Sequence, residues 1–569
     1  MKVIRDLFRV FPVLFQWSRQ VDGSRLTIAL VIATGILAGL GNTALIGVIN
    51  AILFGEPTLR LRLLLMFIGL CIFIPASAFI SQILLVRLTA RAAYDIRRRL
   101  CQQILSAPLR VLEELGTHRL FATLTDDIPT VTTTISSLPV LLAQLAIVAG
   151  CLTYLGWLSR PLLLSVIIYM AIGILSYQRP FAKALNYFRI LREEWDALFK
   201  SLRALTDGSK ELKLHRPRRR AFFAQQLDPD MEAIRRHSVS GSSYSFAAVN
   251  LGQALFFIFI GLVLFVSPIF FNVDRHVLTG YSLTILYMNG PLAAILNTLP
   301  NLGRAQIAFR KIETLGLSLN HQLSESDAEP QSTPATSWRR LELLGITHQY
   351  KSEGESNRFG LGPLDLTFHP GELVFLIGGN GSGKTTLAKL LAGLYAPEAG
   401  EIRLDGAPIT NHNRDDYRQN FSAIFSDYFL FDRLLGLDIK NLGDRAQYYL
   451  TLLELNHKIQ ITDGTLSSVN LSSGQRKRLA LLTAYLEDRS IYIFDEWAAD
   501  QDPVFKRFFY CEILPELKAA GKTLIVISHD DRFYHLADRI IKLESGQLEY
   551  DKRPRPAYRA DTEFVSPPA

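Results

Sequence analysis

Six long apolar runs in the first half of the chain limit what it can fold into. They lie near residues 26–54, 63–86, 136–158, 161–179, 245–271 and 277–303. A helix needs about 20 apolar residues to cross a bilayer, and each run is long enough. None holds Asp, Glu, Lys or Arg before Arg179, the last residue of the fourth run. Short connections at 55–62, 159–160 and 272–276 join the runs in pairs. Long connections follow the second and fourth runs and carry RRR at 97–99 and RPRRR at 216–220. Basic residues collect on the cytoplasmic side of a membrane, so the termini and both long connections are expected there. These connections are rich in helix formers, which extends the spanning helices past the lipid.

The net charge of +8 could serve nucleic acid or an anionic membrane surface. The apolar runs decide for the membrane, so lipids are expected partners and nucleic acid is not. Cys71, Cys101, Cys151 and Cys511 show no CxxC spacing, and no disulfide framework or metal site follows from them. MKVIRDLFRVFPVLFQWSRQ lacks a small-residue cleavage site and is expected as an amphipathic helix at the inner face. The runs hold no carboxylate. Ion-driven carriers place an ionisable group at membrane depth, so the energy should come from elsewhere. Asn42, Asn50, Gln144, Asn250, Gln253, Asn289 and Asn297 read mostly as helix–helix hydrogen bonders, with one or two facing a solute path.

A polar, proline-containing stretch, SESDAEPQSTPATS, reads as a linker. The division is therefore a membrane domain at 1–315, a linker at 316–337, a second domain at 338–550 and a proline-rich, disordered tail at 551–569. The fold class is an all-α domain of six transmembrane helices followed by an α/β nucleotide-binding domain. In the second domain LELLGITHQY suits an edge strand. The strand VFLI then runs into GGNGSGKTTL and a helix from Thr385, the setting a phosphate-binding loop requires. Gly378, Gly379, Asn380, Gly381, Ser382 and Gly383 would close backbone N–H groups around a phosphate, with the helix N-terminus behind them. Lys384 would reach the β- and γ-phosphates, Thr385 would hold Mg²⁺, and Thr386 continues the loop.

IYIFDEWAADQD ends an apolar strand in four carboxylates. Such a strand suits a parallel sheet covered on both faces, lying beside the phosphate loop. Asp495 at its end is expected at the metal, and Glu496 at the attacking water. Asp500 and Asp502 come too late to share the metal and suit the contacts of the following loop.

With these motifs the chain resembles the ATP-binding-cassette transporters, over nearly its whole length and in motif order. Leu471, Ser472, Ser473, Gly474 and Gln475 resemble that family's signature, with Ser473 where glycine is usual. His529 in SHD resembles the switch histidine and Tyr350 the aromatic that stacks on adenine. Asp502 stands at the usual Asp of the loop after the catalytic carboxylate. Ser426 stands where the family carries a metal-sensing glutamine. The resemblance implies ATP and Mg²⁺ as cofactors, with Glu496 and His529 catalytic. It implies a multi-pass protein of the bacterial inner membrane with its cassette in the cytoplasm. It also implies that nucleotide is sandwiched between two copies, because each chain has one phosphate loop and one signature. A homodimer is expected, and an unlike partner stays open.

The polar breaks in 111–128 and 205–219 are expected to dock on the cassette near Phe425–Phe431 and transmit its closure. The fused order resembles exporters. DEWAADQDP, FSDYFLF and GSKELKL look most like the group that exports cyclic peptides, lipopeptides and peptide siderophores, such as the syringomycin and pyoverdine exporters. About 25 residues precede the first run, so no leader-cleaving protease domain is expected there. The expected cargo is a peptide-type or amphipathic solute. A lipid or multidrug translocase and a non-transporting ATPase are the alternatives.

Overall fold

The computed structural model describes residues 24–54, 60–271, 274–321, 338–349, 360–437 and 439–553. The expected amphipathic N-terminus, the linker at 324–337, Tyr350 and nearly all of the tail lie outside them. The described residues of Met1–Arg97 and Thr123–Ile312 form one compact unit, and those of Arg98–Ala122 and Glu313–Ala569 form another.

The first unit is helical. Its long helices are α1 (Ser24–Phe54) and α2 (Arg60–Ser106). After α3 (Leu109–Leu115) and α4 (Thr117–Ala122) come α5 (Ile128–Leu158) and α6 (Arg160–Asp207). The short α7 (Ser209–Leu214) and α8 (Arg216–Phe222) precede α9 (Asp228–Gly261), α10 (Ser267–Phe271) and α11 (Arg275–His321). Among the described residues five helical stretches are long and apolar enough to cross a membrane: Leu26–Phe54, Arg60–Ser106, Arg119–Leu158, Arg160–Asp207 and Arg216–Ile269. Helix α11 covers the sixth expected run.

Lipid offers helices little hydrophobic drive to associate, so close backbone approach and polar ties matter more. A Cβ on Gly39 of α1 would stand 2.8 Å from the Ala143 carbonyl of α5, so these two helices touch where a side chain would not fit. Ser77 and Ser81 of α2 donate to the Thr34 and Val31 carbonyls of α1 at 2.9 and 3.1 Å. The expectation for the amides in the apolar runs needs correction. Asn42 and Asn250 donate to Ala38 and Phe246 of their own helices, four residues back. A carbonyl one turn away is always within reach, so an amide in hydrocarbon needs no second helix. Asn50 differs and is taken up below.

The second unit is built on two large sheets and a two-stranded one, β7 (Ile461–Thr462) paired with β8 (Thr465–Leu466). In the antiparallel large sheet, β1 (Leu341–Gln349) lies between β2 (Gly360–Phe368) and β4 (Ala399–Leu404), with β5 (Ala407–Pro408) outside. The expected edge strand is therefore internal. The other sheet adds β3 (Leu373–Ile377), β6 (Phe421–Ile424), β9 (Ile491–Asp495), β10 (Thr523–Ile527), β11 (Arg539–Glu544) and β12 (Gln547–Lys552). Its order is β12-β11-β3-β10-β9-β6, parallel except at β12. Side chains alternate between two faces, and both are apolar. Leu373, Phe375 and Phe494 join one core, while Val374, Leu376 and Ile493 join the other. So β9 does not lie directly beside β3, because β10 separates them.

Helix α3, from the first expected break, packs in this second unit. Arg110 pairs with Glu398 at 2.9 Å and donates to the Gln349 carbonyl at 3.2 Å. Glu113 pairs with Lys389 at 2.8 Å and accepts from the Tyr395 hydroxyl. Leu109 packs against the apolar cluster that Phe425 also joins. The anchoring ion pairs thus lie at Lys389 and Glu398, and Phe429 and Phe431 stay exposed. The second break, around α7, falls in the first unit.

Gly39→Val should destabilise the first unit by about 1–3 kcal/mol, the usual cost of overpacking a tight contact. A lowered melting temperature of the detergent-purified protein would register it, and an unchanged one would refute the close α1–α5 contact.

Candidate functional site

The C-terminal ends of β3, β9 and β10 bring most of the expected site together. Strand β3 leads into the loop 378–383, and α12 (Lys384–Leu391) follows, with α13 (Arg414–Arg418) and α14 (Ile439–Leu452) further along the chain. Gly378 has φ 146°, and a Cβ there would meet the Leu543 carbonyl at 2.2 Å. Only glycine fits. Gly381 and Gly383 also take positive φ, while Gly379 and Asn380 complete the turn. Ser382 is buried, and among the described residues its hydroxyl has no partner. Lys384 is buried and donates to the Gly378 and Gly379 carbonyls at 3.0 and 2.8 Å. Burial pushes its ammonium below the usual lysine range, against the pull of Glu496 and Asp495. Thr386 is buried next to Thr385 on the first turn of α12.

Thr385 Oγ1 donates to Asp495 Oδ2 at 2.9 Å, tying the first turn of α12 to the end of β9. Burial holds the Asp495 carboxyl above the usual range. Its hydrogen bonds from Thr385 and the Ser426 main-chain N–H act the other way. Ser426 therefore meets Asp495 through its backbone.

Glu496 has φ 51°, a left-handed conformation that is costly for a residue with a side chain. Its N–H bonds the Ile527 carbonyl at 3.1 Å, and its carbonyl accepts from Lys477 Nζ at 2.9 Å. So held, its carboxylate leaves the strand line and lies 3.1 Å from His529 Nε2. Both side chains remain partly exposed, as groups that meet water must.

The signature-like segment forms a second group. Ser472 caps α15 (Ser473–Glu487), and Gln475 returns the bond to the Ser472 N–H. Gly474 gives its carbonyl to Gln501 and approaches the Asp500 carbonyl so closely that a Cβ would stand 3.0 Å from it. Leu471 packs against the core.

The four carboxylates from Asp495 to Asp502 thus have separate tasks. Asp500 pairs with Lys477 at 2.8 Å. Asp502 caps α16 (Pro503–Phe508) and pairs with Arg478 at 2.6 Å. Arg478 is buried, also bonds Gln501 and Glu454, and stacks 3.6 Å over the Phe505 ring. Sequence reading passed over Lys477 and Arg478. The signal was the acidic cluster itself, since carboxylates packed this densely need cations, and QRKRLALL supplies them. Lys477 joins the two groups, touching both Glu496 and Asp500. Tyr350, outside the described residues, follows directly on Gln349, whose carbonyl Arg110 holds.

The chain is similar to known proteins along most of its length. The ABC transporter family matches residues 361–499, and the ABC transporter transmembrane region matches residues 26–267. The chain is 38% identical over 530 residues to the ATP-binding protein SyrD of Pseudomonas syringae pv. syringae, covering 91% of this chain and 93% of that one. It is 25% identical over 547 residues to the ATP-dependent lipid A-core flippase of Alkalilimnicola ehrlichii, covering 91% and 90%. A solved bacterial Atm1-family ABC exporter with ATP bound has a TM-score of 0.71 to it, at 16% identity, covering 93% of this chain and 95% of that one.

Beside the site, Arg532 makes two hydrogen bonds to Asp530, at 2.8 and 2.7 Å, and Lys506 pairs with it at 2.6 Å. These cations hold the Asp530 carboxyl well below the usual carboxylate range. A depressed acid stabilises the fold fully above its unfolded pKa, about 4, and loses that contribution as pH falls through the lower folded value. Asp530→Asn should lower the melting temperature at pH 7, with the difference from wild type shrinking in acid. A difference constant with pH would refute the ion cluster.

Proposed function

Because this chain belongs to the ABC transporter family, we propose that it exports a peptide-type solute across the bacterial inner membrane. The solute class is a cyclic peptide, lipopeptide or peptide siderophore precursor. The protein is a membrane exporter that binds ATP and couples its hydrolysis to transport. The finer reading is carried by the resemblance of DEWAADQDP, FSDYFLF and GSKELKL to peptide exporters. Spans without ionised groups support it, since they suit a bulky amphipathic solute better than a small ion.

The phosphate loop fits ATP on its own features: a glycine cradle that a Cβ would fill, an orphaned buried Ser382 hydroxyl, and a desolvated Lys384. N–H groups from Gly379 to Thr386 enclose the phosphates, and Lys384 meets the β- and γ-oxygens. Thr385 and Asp495, with Ser426 beside them, fit Mg²⁺, which would neutralise charge on those oxygens. Glu496 takes the proton of the attacking water. His529 orients Glu496 and contacts the γ-phosphate, and Tyr350 stacks on adenine. Leu471 to Gln475 and Asp502 of a second copy close the far side, giving a homodimer with two equivalent sites.

A second reading, lipid translocation, draws on the flippase relative, which matches at lower identity over nearly the full length. Inverted vesicles decide between the two. ATP-dependent uptake of a labelled cyclic lipopeptide supports peptide export, and ATP-dependent lipid flipping without such uptake overturns it.

Glu496→Gln should retain ATP binding and lose roughly 10²–10⁴-fold in turnover, the usual contribution of a general base. Hydrolysis at the wild-type rate would refute that role. Lys384→Ala should instead weaken ATP binding about tenfold or more, which a nucleotide titration reads directly.

A further inference from the structure

Asn50 is fully buried, four residues before the end of α1. Its Nδ2 donates to the Tyr154 hydroxyl of α5 at 3.0 Å. Its second N–H faces His276 Nε2 at 3.3 Å, so that ring nitrogen accepts. Tyr154 stands four residues before the end of α5, and His276 is the second residue of α11. One amide thus joins three spans at one end. The packing is shaped around it: a Cβ on Gly280 would lie 2.6 Å from both Asn50 Nδ2 and Leu158 Cδ2. The Phe54 ring meets His276 edge-on at 5.5 Å.

The cluster is incompletely satisfied. Among the described residues, Asn50 Oδ1 is buried without a hydrogen-bond partner. A dry, unpaired acceptor costs about 1–3 kcal/mol, which water recovers if the helices part. A largely apolar groove of about 530 Å³ between α1 and α5, lined in part by Leu40, Gly47, Ala149, Gly150 and Trp157, reaches Tyr154. Asn42 and Asn250, bonded within their own helices, gain nothing comparable from parting. The charge pattern puts this end, with its short connections, away from the cytoplasm.

We propose that Asn50 is a positioning residue of the transport step. With Tyr154 and His276 it clasps the outer ends of α1, α5 and α11. Hydration of Oδ1 compensates its release when the protein opens outward. Closed, the clasp has two hydrogen bonds and one unpaired acceptor; open, every group is wet. Two states so nearly balanced respond to a small bias from ATP. The inference rests on the export reading but not on the identity of the solute.

The test uses the full chain in proteoliposomes. Asn50→Leu removes both hydrogen bonds and leaves the Tyr154 hydroxyl and His276 Nε2 dry and unpaired when the outer ends are shut, so closing again after each opening should slow. The melting temperature should fall, ATPase kcat should fall about tenfold, and the KM for ATP should hold. A lowered melting temperature with a wild-type kcat overturns the proposal, because that marks a purely structural tie. Asn50→Cys, with the four native cysteines replaced, provides the second readout. A membrane-impermeant maleimide added outside should label position 50 during ATP turnover and not without nucleotide. Equal labelling in both conditions, or none in either, overturns it. A lipid translocase would give the same labelling pattern, so failure of the peptide reading alone would leave this result intact.

Discussion

The candidate site depends on keeping two opposite charges dry. Lys384 and Asp495 are both almost completely buried, at 6% and 2% exposure. Burial disfavours the charged form of each, and their mutual attraction offsets only part of that. The protein supplies the remainder locally. Loop carbonyls hold the ammonium, while the Thr385 hydroxyl and a backbone N–H hold the carboxylate. This arrangement needs the loop to turn tightly enough to aim Gly378 and Gly379 at Lys384. It also needs a strand apolar on both faces to carry Asp495 to the rim. Phosphate oxygens and a divalent cation would complement what burial leaves unbalanced.

The local features of the site were legible because each depends on a short stretch of chain. The glycines of 378–383 and the apolar IYIF strand follow from local rules. The sheet order did not, because nothing in IYIF says that TLIVI will insert between it and VFLI. The partners of Asp500 and Asp502 also escaped, since pairing across more than 20 residues leaves no periodic trace. The docking place of α3 was expected near Phe425–Phe431. Leu109 does share a cluster with Phe425, while the ion pairs of Arg110 and Glu113 lie at Glu398 and Lys389.

In the membrane runs, composition gave length and number and said little about contacts. Seven amides and glutamines look alike in sequence. What separates Asn50 from Asn42 is which neighbour its helix meets, and that depends on small residues such as Gly280 elsewhere in the chain. Helix pairing here follows from where side chains are missing as much as from where they are present.

Helix α2 has 47 residues and ends two residues before α3. At about 1.5 Å per residue it would reach roughly 70 Å. Pro75 stands inside it, within the second apolar run, where it can donate no hydrogen bond to the carbonyl one turn back. A helix whose ladder lacks one rung at that point can bend there without breaking another.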